Sequence, residues 1–260
     1  MRIQKFLGRY IKHKNLILNL VSSELKLKYK SSILGFFWTL LEPLFIIVVL
    51  LFVFSNLFKS DIPNYPAYLI IGFVAWGFFS NGTSILDILV SKADLIKRIH
   101  FPRELLVICA CIINFIDSIF EFLILIIILF LFMGINISWS LLYVPLIMLI
   151  QFFFIVGFSL LLSSLYVFFR DVKHIWNVLL QIGFFATPII YPSSLLIGKL
   201  SFMLILNPMA HFINIYRSTI IYGKVPALNG ILILCLFSIT IIFVGWAVFK
   251  KLEPKFGEEV

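Results

Sequence analysis

Charged side chains are scarce in this chain. Lysine, arginine, aspartate and glutamate make up 13% of its 260 residues, where ordinary soluble domains carry about 25%. Hydrophobic residues make up 62%, and the mean hydropathy is +1.11. One water-facing core could not hide that much apolar surface, so a soluble globular class is excluded and an integral membrane protein is expected. Cysteine is nearly absent: Cys109, Cys111 and Cys235 all sit inside apolar runs. There they pack as small hydrophobes, and neither a disulfide framework nor a thiolate metal site is expected. A phosphate-binding loop is missing, because the Gly-Lys pairs at 198–199 and 223–224 lack both the first glycine and the following hydroxyl. His13, His100, His174 and His211 are scattered without an H-E-x-x-H pattern, and no nucleophile, metal or acid/base set has recognisable spacing. These absences argue against an enzyme, and no cofactor is expected on this chain. Internal repeats of solenoid type and low-complexity linkers are lacking too. The basic opening MRIQKFLGRYIKHK lacks the apolar core and small-residue cleavage site of a signal peptide, so it is expected in the mature protein.

What is abundant is apolar helix. A bilayer core of about 30 Å takes roughly 20 apolar residues, and the runs 34–57, 68–90, 105–133, 142–169 and 228–249 satisfy that length. A sixth run, 175–190, reaches only about 24 Å at ~1.5 Å per residue and is counted as a short span. With the N-terminus inside, 17 lysines and arginines fall on the cytoplasmic side and four on the outside, which orients the six spans. The same asymmetry explains the net charge of +9 by topology and anionic lipid, without nucleic acid. Between spans five and six, segment 191–227 holds two short apolar pieces, 195–206 and 209–221, divided by Asn207 and Pro208. A further full span there would push Lys250, Lys251 and Lys255 outside. Two re-entrant half-helices in the outer leaflet are therefore expected, a form tolerated only where protein or water satisfies the broken backbone. Residues 1–33 form a cytoplasmic N-terminus with an interfacial helix, since Leu16, Ile17, Leu20 and Val21 recur at helical spacing. The following ELKLKYK alternates like a strand, but a lone strand beside a bilayer has no partner, so the helix is expected to continue. The spans occupy 34–249, and 250–260 is a cytoplasmic tail.

Several polar or aromatic positions stand out against this background. Asp117 and Glu121 are four apart and share a helix face, which suits either a proton or cation relay or a polar bundle interior. Glu42 precedes Pro43, where a helix loses a backbone bond and bends. Phe36, Phe37, Trp38, Phe152, Phe153, Phe154, Tyr166, Phe184 and Phe185 offer flat faces for stacking on sugar rings, or simply face lipid and neighbouring helices. The internal loop 91–104, SKADLIKRIHFPRE, sets Leu95, Ile96, Ile99 and Phe101 among Lys92, Lys97, Arg98 and Arg103. That pattern suits a short helix receiving force from a partner, or a solvated connector.

Three motifs in order carry a family resemblance. YKSSILGFFWTLLEPL at 29–44 resembles the signature of the membrane subunits of bacterial polysaccharide ABC exporters. RDVKHIWNVLLQIGFFATPIIYP at 170–192 and NPMAHFINIYRS at 207–218 resemble the second and third. The resemblance implies a type-2 ABC exporter permease, as in O-antigen and teichoic-acid export. Such a permease is a homodimer in the bacterial inner membrane, bound to two copies of a separate ABC ATPase that carries the ATP and magnesium. Its substrate would be a polyprenyl-diphosphate-linked glycan. It further implies that Leu95, Lys97, Arg98, His100, Phe101, Pro102, Arg103 and Glu104 form a coupling helix against the ATPase. For such a substrate, the residues place Lys30, Arg170, Lys173 and His174 at the cytoplasmic entry, where the cluster suits either the ATPase or the diphosphate, and Phe37, Trp38, Phe152, Tyr166, Phe184 and Phe185 are the candidates for the channel wall. Pro188, Tyr191, Asn207, Pro208 and Arg217 would belong to an outer gate. Glu42 departs from the family's usual uncharged residue. Export of a small amphipathic compound is the nearest alternative. An ion-driven carrier using Asp117 and Glu121 is a second, against which the lack of an inverted repeat counts.

Overall fold

The computed structural model describes residues 14–30, 64–98, 101–136, 138–193 and 201–259, with isolated positions between 41 and 52. The expected span at 34–57, the first motif beyond Lys30 with Phe36, Phe37, Trp38 and Glu42, His100, and the 194–200 part of the two-piece segment lie outside the described residues. So do the side chains of Lys30 and Arg98.

Helix α1 is Lys14–Lys30. Leu16, Ile17, Leu20, Val21, Glu24 and Leu25 are its less exposed positions, while Leu18 and Leu27 stay in the open. The 3.6-residue period therefore runs on through ELKLKYK. A helix satisfies its own backbone, which a strand without neighbours could not do.

Helix α2, Tyr65–Thr83, starts at Asn64 in the left-handed region with φ 56°, and Pro66 sits in its first turn. Fourteen of its 19 residues are buried, so it is the central post of the bundle. The 68–90 run is not one helix, contrary to the expectation from hydropathy alone. Thr83 and Ser84 turn their hydroxyls back onto the carbonyls of Phe79 and Ser80, at 2.9 and 2.7 Å, and this local bonding competes with the helical ladder. Two short helices follow, α3 (Ile88–Ser91) and α4 (Ala93–Arg98).

Helix α5, Glu104–Met133, runs thirty residues, about 45 Å, and stops at Gly134, whose φ of 63° provides the left-handed cap. A 3-10 turn at Trp139–Tyr143 leads into α6, Val144–Phe168. Helix α7, Val172–Ala186, ends four residues short of the expected 190. Thr187 is extended there, because the ring of Pro188 disfavours helical geometry in the residue before it. Then come α8 (Ser201–Leu206), α9 (Pro208–Ile220), α10 (Leu228–Leu252), a 3-10 turn (Glu253–Lys255) and α11 (Phe256–Glu259). Asn207 caps α9 by accepting from the amides of Met209 and Ala210 at 3.0 and 3.3 Å, and Pro208 fills the first helical position. Among the described residues the secondary structure is entirely helix and turn. Three helical stretches, Glu104–Met133, Trp139–Phe168 and Leu228–Lys255, are long and apolar enough to cross a membrane.

The bundle packs α5, α6 and α9 around α2, with Ile70, Ile71, Phe78, Phe122, Phe212 and Tyr216 at its centre. Helices α6 and α10 touch backbone to backbone: a Cβ added to Gly245 would lie 2.1 Å from the Gly157 carbonyl oxygen. Polar side chains secure α2 by its carbonyls. Asn114 donates to Phe78 at 3.1 Å, Gln151 to Ala75 at 2.9 Å and Ser159 to Gly82 at 3.0 Å, and the Tyr216 hydroxyl donates to Gln151 at 2.9 Å. In an apolar surround each such bond is worth about 0.6–2 kcal/mol and fixes how the helices register.

Candidate functional site

The sequence TPIIYP at 187–192 sets the local problem. Prolines at 188 and 192 break the ladder after α7, so the carbonyls between them need donors from elsewhere. Four consecutive carbonyls find one each on a neighbouring element. Arg217 of α9 donates through Nη1 to Pro188 at 2.7 Å and through Nη2 to Ile189 at 2.8 Å. From the first turn of α2, the Tyr65 hydroxyl donates to Ile190 at 2.7 Å and the Tyr68 hydroxyl to Tyr191 at 3.2 Å. Arg217 also bonds the Tyr68 carbonyl through Nε at 3.1 Å, and its guanidinium lies 3.3 Å from the centroid of the Tyr68 ring. The arginine is 2% exposed. Gly72 makes room for it, since a Cβ there would stand 2.6 Å from Nη2. Asn207 reaches the Thr187 hydroxyl at 2.8 Å, and the Tyr191 hydroxyl returns to the Phe185 carbonyl at 2.9 Å.

The predicted residues Pro188, Tyr191, Asn207 and Arg217 thus meet at one place, with Pro208 beginning the helix that carries Arg217. Tyr65, Tyr68 and Gly72 belong to the same cluster and were not singled out from the sequence. The YPAY at 65–68, two tyrosines three apart at a helix start, was the available signal.

Toward the opposite end, and as far as the middle of α5, the bundle is held by charges. Lys92, just before α4, pairs with Glu24 of α1. Lys28 of α1 bonds Asp117 of α5 at 2.6 Å, Lys173 bonds Asp87 at 2.6 Å, and Lys250 bonds both Glu104 and Glu253 at 2.8 Å. Of the expected coupling set, Lys97 is exposed, while Leu95, Phe101 and Pro102 are half-buried. Arg103 donates to the Glu253 carbonyl at 2.8 Å. Glu104 is 1% exposed and faces Lys250, so it ties α5 to α10 from within the bundle. Lys173 is held by Asp87, Arg170 lies over the Tyr166 ring at 5.1 Å, and His174 is exposed. Asp117 has a cation beside it, which relieves the repulsion expected of two carboxylates on one face; Glu121 is half-buried.

Of the expected channel aromatics, Phe152 packs on Phe115 at 5.0 Å and Phe184 on Trp76 at 6.0 Å, both inside the described bundle. Phe185 is 68% exposed. It belongs to the open side of α7, where Ile175, Val178, Leu179 and Ile182 are exposed together with His174, Asn177 and Gln181. Among the described residues no group of three or more His, Cys, Asp or Glu side chains is placed to hold a metal ion.

Residues 15–221 match the ABC-2 type transporter family. The chain belongs to that family. It is similar to an O-antigen export system permease protein of Myxococcus xanthus, 29% identical over 254 residues that cover 95% of this chain and 96% of that protein. A protein of the same name from Klebsiella pneumoniae is 31% identical over 246 residues, 94% of each chain. The polysialic acid transport protein KpsM of Escherichia coli is 21% identical over 242 residues, 88% of this chain and 90% of that one. As an ABC-2 family member with long apolar helices, the chain is a multi-pass protein of the bacterial inner membrane.

Proposed function

We propose that this chain is the permease subunit of an ATP-driven exporter that moves a polyprenyl-diphosphate-linked polysaccharide of O-antigen or teichoic-acid type from the cytoplasm across the inner membrane. Near full-length likeness to proteins named for O-antigen export and polysialic acid transport supports the substrate class. The structural observation that carries the reading is α7. Lipid tails offer Asn177 and Gln181 no hydrogen-bond partners, yet both are exposed on a helix whose apolar side is open as well. Such a mixed face fits a hydrated sugar path, with Phe185 as a stacking surface, shared with a second copy of the chain. In this reading the protein is a homodimer of six-span subunits with both termini in the cytoplasm. The basic end meets two ABC ATPase subunits through 91–104, and α8 with α9 forms the re-entrant pair on the outer side. His174 and Arg170 stand at the cytoplasmic mouth, where they suit the substrate's diphosphate.

A strain lacking this chain should accumulate polyprenyl-linked glycan in the cytoplasmic leaflet, and ATP hydrolysis should be measurable in the complex with the ATPase subunit and not in the purified chain alone. Transport by the chain alone in liposomes under an ion gradient would overturn the proposal in favour of the carrier reading.

A further inference from the structure

We propose that Tyr65, Tyr68 and Arg217 form a releasable latch on the strap 188–191, and that export requires the latch to open. The inference rests on the reading that α7 borders the substrate path. Three features argue for a latch over permanent cement.

The first is the strap's dependence on borrowed donors. Its four carbonyls accept from side chains of α2 and α9, so the strap can leave without unravelling any helix. The second is the chemistry of the tie. The guanidinium rests on three carbonyl oxygens and one ring, partners that hold a cation less firmly than a buried carboxylate would. The third is position. The strap continues directly from α7, and Asn207 bonds Thr187 at the joint between them. Release would therefore free the end of α7 and loosen the base of α9 in one motion, a two-state element of the kind that switches instead of bending. The latch residues act on the strap's backbone carbonyls, so they are positioning residues for transport.

The test uses the permease with its ATPase in proteoliposomes. Tyr65→Phe with Tyr68→Phe removes only two hydroxyls. Without ATP it should raise leakage of a small hydrophilic dye roughly tenfold, the population shift expected from two lost neutral hydrogen bonds. In a background freed of Cys109, Cys111 and Cys235, cysteines at Tyr65 and Ile190 are bridged by a reducible thiosulfonate cross-linker. The bridge should stop glycan export, and dithiothreitol should restore it, a reversal that a merely structural contact would not show. Wild-type leakage in the phenylalanine pair, or normal export with the bridge closed, overturns the latch; if the pair fails to assemble, the bridge decides alone. A Gln181→Cys variant keeps the two readings apart. If a hydrophilic thiol reagent labels it while both latch results fail, the path stands and the latch falls. If it is inert to the reagent, the path reading itself is wrong.

Discussion

The two ends of the bundle are tied by different chemistry. Around 188–191 the strap's ties end on backbone carbonyls, and the Arg217 cation is buried against neutral acceptors. At the basic end the ties are ion pairs between side chains, several of them well exposed: Lys28 is 47% exposed, and Lys173 and Asp87 are 43% and 39%. Exposed ion pairs are screened by salt and give about 0–1 kcal/mol each, whereas a buried donor that loses its acceptors keeps its full desolvation cost. The carbonyl end should therefore behave as all-or-none, and the charged end as a set of weak joints a partner can rearrange. Four substitutions test that contrast, in falling order of expected effect.

Arg217→Ala should be the most damaging. It strips the Pro188 and Ile189 carbonyls of their side-chain donors and leaves a void where the guanidinium lay, at a cost of about 3–5 kcal/mol from the unpaired buried acceptors and the lost packing. Thermal melting of the detergent-solubilised protein should show the loss with no dependence on salt. Arg217→Lys, which has no planar fork, should recover only part of it. A melting point restored by high salt in the alanine variant would erase the distinction between the ends.

Lys250→Met comes next and is the exception that sharpens the comparison, because one member of this pair is buried at the charged end. Glu104 would keep a carboxylate inside the bundle with one oxygen already lacking a partner among the described residues. The expected loss is about 2–4 kcal/mol, below that of Arg217→Ala because Lys250 is 24% exposed and water can partly replace it. Restoring the fit with Glu104→Gln in the same chain should recover most of the melting temperature. Gly72→Ala should cost somewhat less, about 1–3 kcal/mol, since the added methyl meets Nη2 of Arg217 and forces the fork off its acceptors.

How much of this was legible in the sequence follows the same divide. Long apolar runs place α5, α6 and α10 within a few residues, because burial in lipid leaves a length signal that nothing local overrides. The stripe of Leu16, Ile17, Leu20 and Val21 carries α1 past its strand-like end. The break after Thr83 was hidden, since hydroxyls bonding to a preceding turn do not lower hydropathy enough to interrupt a run. Arg217 was visible as a charge within an apolar piece, and the prolines at 188 and 192 marked where a helix must fail. Tyr65 and Tyr68 were not, because in a chain with 9 Tyr and 30 Phe an aromatic carries no mark of which carbonyl it will reach. The Lys28–Asp117 pair was equally silent: its members are 89 residues apart, and only packing brings α1 beside the middle of α5.

The smallest expected effect bears on how the charged end works. Glu24 and Lys28 lie one turn apart on α1 and reach two different elements, Lys92 before α4 and Asp117 in α5. Helix α1 thus bridges the basic loop and a long helix through two side-chain pairs. Glu24→Gln removes one of them at a cost of under about 1 kcal/mol, so melting should barely change, and raising salt to about 1 M should abolish even that difference, the Debye length then being about 3 Å. If the bridge carries motion from the loop to the bundle, ATP-driven export should nevertheless fall in Glu24→Gln, and the exchange Glu24→Lys with Lys92→Glu should restore it. A fall in export matched by an equal fall in melting temperature would instead make the pair ordinary cement, and the two ends of the molecule would then differ in strength alone.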